Sequence, residues 1–225
     1  MELNKIFRRQ LDLVKPQELE FPIHIIGGGG IGSWATFALV KMGCSNITVI
    51  DPDRVEEKNT PSQLYNINQV GQNKVDALAD NIRNLTGVEI KKSAVKYQDY
   101  RSNGFTDAKL IICSVDSLEE RKNLWSPLLS DWFLKRNFEC YIDARMGGEL
   151  LRVLLVNPFD EVSLNYYQKV INSKTKAHSE PCTARSIIYN TFICGGIIAS
   201  LVKKYAKKEE VKLDFIFDIK NGTTN

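Results

Sequence analysis

The run IIGGGGIGSW, residues 25–34, constrains this chain more than any other stretch. Four consecutive glycines follow an apolar run, and a fifth stands two positions further on. Glycine is used in this density where a backbone bends into conformations closed to L side chains or where something must come close to it. Upstream, PIHIIG (22–27) predicts a short buried strand. Downstream, the apolar spacing from Ile31 to Met42 is helical and Gly43 supplies a C-cap. NITVID (46–51) predicts a second strand. Strand, loop, helix and strand fit within about 30 residues, the size of one βαβ unit.

The rest of the chain continues the alternation. Residues 3–14 read as a helix closed by Pro16, and 51–65 as a long polar loop whose two prolines forbid a helix. A helix over 71–86 carries Val75, Leu78, Ala79 and Ile82 on one face. Strands are expected at 88–95, 108–115 and 140–146, with a helix at 123–137 between the last two. A further strand, 148–157, follows at once through a Gly147–Gly148 turn. Residues 157–183 read as an irregular or partly helical crossover, 183–206 as a helix and 213–222 as a final strand and turn. The fold class is therefore α/β: a Rossmann-like, mostly parallel sheet with helices on both faces, the C-terminal part adding antiparallel strands.

Gly27, Gly29 and Gly32 satisfy G-x-G-x-x-G, and Asp51 lies 19 residues beyond the last of them at a strand end. That pattern reads as a nucleotide site: bare glycines let backbone N–H groups reach phosphates, and the carboxylate takes ribose hydroxyls. The following residues favour ATP over a dinucleotide. Asp53 and Asn59 stand on the polar loop, Lys74 starts a helix, and Asp116 follows the fourth strand. Asp51, Asp116 and the loop share the carboxyl edge of the sheet, where open α/β folds bind ligands. A dehydrogenase explains neither Lys74 nor Asp116; a triphosphate with Mg²⁺ uses both.

Composition removes other classes. At 43% hydrophobic and 25% charged the chain is ordinary globular protein, and a net charge of +3 gives no footprint for nucleic acid. No apolar run reaches membrane-spanning length, and the N-terminus has no secretory core. The cysteines, at 44, 113, 140, 182 and 194, are odd in number and form no C-x-x-C, which predicts a reduced, cytoplasmic protein without zinc. His24, inside an apolar run, reads as a core histidine.

From about Arg9 to Asn221 the chain resembles the ThiF/MoeB/HesA adenylyltransferases, bacterial relatives of ubiquitin-activating enzymes. GGGGIGSWATFALVKMGCSNITVIDPDRVEEKNTPSQ looks like the family's glycine loop, second strand and D-x-D-x-V-x-x-x-N segment. VGQNKVDAL is similar to its G-x-x-K helix, SVDSLEERKNL to its T-D-N-x-x-x-R helix start, and RRQ to its N-terminal R-Q. The resemblance implies one adenylation domain over 1–225: a helical segment 1–20, a nucleotide-binding half 21–150, and crossover, helix and strand in 151–225. It implies adenylation of the C-terminal carboxylate of a small Gly-Gly-tailed carrier protein by ATP and Mg²⁺, in a homodimer.

By the same resemblance, Gly27, Gly29, Gly30 and Gly32 make room for ATP, Asp51 holds ribose with Asp53 beside it, Asn59 and Lys74 contact phosphates, and Asp116 binds the metal. Arg9 resembles an arginine finger reaching the partner subunit's site. Cys182, just before a helix, matches a thiol that some members use to capture the activated carrier, while Cys113 and Cys194 read as packing. Gly195 and Gly196 suggest close packing, with a dimer partner as the expected neighbour. Two departures stand out: Ser62 replaces a phosphate-contacting arginine, with Arg145 or Arg54 as substitutes, and the paired C-x-x-C zinc module is missing. Three other readings stay open: a tRNA-modifying dehydratase of the same superfamily, an NAD-dependent oxidoreductase, and a non-catalytic scaffold.

Overall fold

The structure, a computed structural model, describes residues 3–102, 107–130, 138–173 and 186–224. The helices are α1 (Leu3–Ile6), α2 (Gly30–Met42), α3 (Lys74–Thr86), α4 (Tyr97–Ser102), α5 (Leu118–Ser130), α6 (Glu161–Asn172) and α7 (Ile188–Ala206). The strands are β1 (Ile23–Ile26), β2 (Ile47–Ile50), β3 (Lys91–Ser93), β4 (Leu110–Cys113), β5 (Cys140–Gly147), β6 (Leu150–Val156), β7 (Asp214–Asp218) and β8 (Thr223–Thr224).

They form one sheet in the order β3-β2-β1-β4-β5-β6-β7-β8. The first five strands are parallel. The last three run antiparallel to their neighbours. Strand order reverses between β1 and β4, the switch point at which such sheets open a crevice. The expected fold class is the observed one.

Alternating side chains divide the core. Ile23 and Ile25, Ile47 and Val49, Leu110 and Ile112, Ile142 and Ala144 face α2, α3 and α7. Ile26, Ile50, Ile111, Cys113 and Tyr141 face α4, α5 and α6. Strands buried on both sides need apolar residues at nearly every position, which is why β1, β2 and β4 read as continuous runs. His24 is buried on β1, its Nε2 3.2 Å from Asp107. Burial lowers its pKa, opposed by Asp107, so it is a core histidine as expected.

Three expectations need correction. The N-terminal helix ends at Ile6, and turns carry the chain to Leu13, because Gln10 donates through Nε2 to Met42 O at 2.6 Å and docks the segment on the C-terminal end of α2. The third strand shrinks to Lys91–Ser93, and α4 fills part of the connection after it. Gly195 packs within the chain instead of on a partner: a Cβ there would lie 2.8 Å from the backbone carbon of Trp34 on α2, whereas one on Gly196 would meet nothing within 4 Å among the described residues. Among the described residues no helix is long and apolar enough to cross a membrane.

Candidate functional site

The glycine loop joins β1 to α2, and its glycines serve different ends. Gly27 has φ +96°, a conformation that L residues rarely adopt. Gly32 lets α2 rest on the loop, since a Cβ there would fall 1.8 Å from Gly27 O. At Gly30 a Cβ would meet the Thr191 methyl of α7 at 2.8 Å. At Gly29, the N-cap of α2, a Cβ would meet nothing within 4 Å among the described residues, and none of their side chains caps the helix. The loop is thus packed from beneath and open at the positive end of a 13-residue helix, where backbone N–H groups and the helix dipole favour an anion.

Ser114, past β4, donates its hydroxyl to Ile26 O at 2.9 Å and Gly27 O at 2.8 Å. On the other side, Tyr65 donates to Gly28 O at 2.5 Å. The Gly28 N–H in turn donates to Asp51 Oδ2 at 2.6 Å. Tyr65 is a lone tyrosine in a polar loop and carries no sequence pattern that would single it out.

Asp51 follows β2 and is only 4% exposed. Its Oδ1 accepts the Asp53 N–H at 2.7 Å. Lys74, the first residue of α3, sets Nζ 2.8 Å from Asp53 Oδ2 and 3.9 Å from Asp51 Oδ2. Burial raises the Asp51 pKa, and the Lys74 charge works against it. An acid, an ammonium and an open helix terminus therefore meet at one rim. Asn59 is buried with its Oδ1 accepting the Glu56 N–H at 2.8 Å. Ser62 is also buried, and its carbonyl accepts Trp34 Nε1–H at 3.0 Å and Thr191 Oγ–H at 2.9 Å, linking α2 to α7. Residue 62 is therefore a packing point between helices.

Asp116 is exposed beyond β4. Glu120, in the first turn of α5, has its pKa raised by burial and by the charges of Asp116, Asp53 and Asp51. Arg121, the arginine of the D-S-x-x-x-R stretch, and Arg145 meet in a cluster with Asp143 and Tyr167 that the sequence did not bring together. Asp143 on β5 is 0% exposed. It pairs with Arg121 of α5, accepts Arg145 Nε at 2.9 Å and Nη2 at 2.6 Å, and accepts the Tyr167 hydroxyl of α6 at 2.8 Å. Arg145 is thus engaged by Asp143, and Arg54 donates to Gly71 O at 2.7 Å. Both proposed substitutes for the missing arginine are held elsewhere.

Burial pushes the thiols of Cys44, Cys140 and Cys194 up to about 12 and also raises that of Cys113, so these cysteines are packing groups. Cys182 lies outside the described residues. Arg9 is exposed beside Gln10, at the end of α2 remote from the loop. Along α7, Ile188, Tyr189, Phe192 and Ile193 are exposed, and Phe192 packs edge-on to Trp34 at 5.1 Å. Among the described residues no group of three or more His, Cys, Asp or Glu is arranged to hold a metal ion by itself.

Comparison with known proteins follows the same outline. The ThiF family model matches residues 17–220. The NEDD8-activating enzyme E1 catalytic subunit of Arabidopsis thaliana is 31% identical over 134 residues, 54% of this chain and 30% of that protein. The tRNA threonylcarbamoyladenosine dehydratase of Escherichia coli K12 is 32% identical over 109 residues, 45% of this chain and 40% of that protein. The matched region therefore spans less than half of either relative. The crystal structure of E. coli MccB with ATP superposes over 100% of this chain and 71% of its own, with a TM-score of 0.70 at 20% identity, a likeness of fold.

Proposed function

The chain belongs to the ThiF family and carries its adenylyltransferase fold, and from that premise we propose that it uses ATP to activate a C-terminal carboxylate. The observation that carries this reading is the open Gly29 position at the start of α2, with buried Asp51 and Lys74 beside it. The carboxylate belongs to a small ubiquitin-like carrier ending in Gly-Gly. One of its oxygens attacks the α-phosphorus of ATP, the bond from that phosphorus to the bridging oxygen breaks, pyrophosphate leaves, and the carboxylate is joined to AMP. The protein's task is alignment and charge compensation.

The first N–H groups of α2 receive phosphate oxygens. Lys74 exchanges its contact with Asp53 for phosphate, which a half-exposed partner permits. Asp51 keeps its backbone bonds and accepts ribose hydroxyls with its remaining lone pairs. Asn59, with Oδ1 occupied, offers its amide N–H groups. A single exposed carboxylate, Asp116, suits Mg²⁺, which takes one or two protein carboxylates and fills its sphere with phosphate oxygens and water. Bound there, the ion supplies positive charge to the phosphates.

The reading includes a homodimer. Gln10, next to Arg9, docks on Met42 O, and Met42 lies about 18 Å from Gly30 along α2, so Arg9 is assigned to the partner's site. The exposed apolar residues of α7 support the same arrangement. Cys182 takes the role of thiol acceptor for the activated carboxylate.

The test is exchange of pyrophosphate into ATP. Exchange that needs a Gly-Gly-tailed carrier, and that Asp116→Ala and Lys74→Ala abolish, supports the proposal. A second reading, favoured by the match to the dehydratase, is exchange that needs a modified tRNA. ATP binding without exchange under either condition identifies a scaffold and refutes both.

A further inference from the structure

Arg121 is 5% exposed, and its contacts converge on one joint. Its Nη1 pairs with Asp143. Its Nη2 donates to the carbonyls of Val115 and, at 3.0 Å, of Ala144. Val115 immediately precedes Asp116. The residue before it, Ser114, is tied to the glycine loop through Ile26 O and Gly27 O. The backbone entering Asp116 is therefore fastened at two consecutive residues, by Ser114 to the loop under the nucleotide site and by Arg121 to β5.

Stability alone gives no reason for this arrangement, because a buried ion pair is commonly matched or exceeded by apolar residues of similar volume. A guanidinium does something apolar residues and lysine do not: its planar fork reaches a carboxylate and two carbonyls at fixed angles. Asp143, completed by Arg145 and Tyr167, is the counter-charge that lets the fork be buried. We propose that Arg121 is a positioning residue that fixes the Val115 carbonyl and so aims the Asp116 carboxylate. The consequence for magnesium rests on the function proposed above; the clamp itself does not.

The experiment has two readouts on the whole protein. The first is amide hydrogen exchange across residues 114–117 without nucleotide. The second is the magnesium concentration at half-saturation of ATP binding, by calorimetry. Arg121→Lys keeps the charge and loses the fork. The pair Arg121→Met with Asp143→Asn removes clamp and counter-charge together while keeping an oxygen acceptor for Arg145 and Tyr167, which guards against misfolding. Tyr167→Phe removes one hydrogen bond to Asp143 and leaves the clamp. Both Arg121 variants should accelerate exchange and raise the magnesium midpoint about tenfold, the low end of what outer-sphere partners of a metal contribute. Affinity for ATP without metal should change less than about twofold. Tyr167→Phe should lower the melting temperature and move neither readout. Unchanged exchange in the Arg121 variants, or a midpoint shift that tracks melting temperature through all three, overturns the proposal. Faster exchange with no binding of Mg-ATP by the native protein upholds the clamp and overturns the reading of the site.

Discussion

The two glycines at positions 29 and 32 should fail in opposite ways when each is replaced by alanine. At Gly32 the new methyl would lie 1.8 Å from Gly27 O and 2.6 Å from Ser114 Oγ, both part of the packed floor of the loop. Contacts under 3.0 Å do not persist, so α2 must lift by about 1 Å. Overpacking of this kind costs about 1–3 kcal/mol. Displacing the Ser114 hydroxyl adds about 1 kcal/mol for a weakened hydrogen bond. The better helix propensity of alanine returns part of about 1 kcal/mol. The balance is a loss of about 1–4 kcal/mol, which for a chain of this size lowers the melting temperature by about 2–16 °C. At Gly29 the methyl meets nothing among the described residues, so stability should stay within about 0.5 kcal/mol. There the methyl occupies the space through which a phosphate approaches α2, and ATP affinity should fall at least about tenfold, which is about 1.4 kcal/mol. Thermal melts and ATP titration calorimetry on the two variants decide the matter. Native ATP affinity in Gly29→Ala would refute the reasoning that the open position is ligand space, and a native melting temperature in Gly32→Ala would refute the described packing.

The other glycine pair gives a contrast free of any ligand: Gly195→Ala should destabilise by about 1–3 kcal/mol because its Cβ would press on the α2 backbone, while Gly196→Ala should be neutral or stabilising by up to about 1 kcal/mol, both read from denaturant midpoints. The depressed pKa of buried His24 means that the unfolded chain takes up a proton first as pH falls below about 6.5. Stability is therefore complete above that pH and declines as pH falls toward the folded-state value, and His24→Gln should flatten this decline in melts between about pH 7.5 and 5.5; an unchanged slope would assign the decline to other groups.

What could be read from the sequence was what depends on near neighbours. The βαβ unit around residues 22–51 was legible because strand, glycine turn, helix and C-cap are each encoded within a few positions. Asp51 and Lys74 were legible as neighbours because the end of a parallel strand and the start of the following helix share one edge of the sheet. Arg121 and Arg145 stood in the sequence as separate candidates, but their meeting with Asp143 and Tyr167 was not legible, since the cluster assembles from α5, β5 and α6. The N-terminal segment misled for a related reason: its spacing is helical, yet Gln10 finds the free carbonyl of Met42 at the end of α2, and tertiary contact overrides local preference. Ser62 was recognised as a departure, but its role as a carbonyl bridge between α2 and α7 depends on a partner 129 residues away.

The two outermost strands of the sheet carry a consequence for association. β3 is three residues long and reads Lys91-Lys92-Ser93 with both lysines exposed, and β8 is a pair of exposed threonines. Short, charged or polar margins are poor templates for another chain's backbone. Along the β3 margin, backbone pairing with another chain is therefore disfavoured, and strand-by-strand growth, which has no natural end, finds little purchase there.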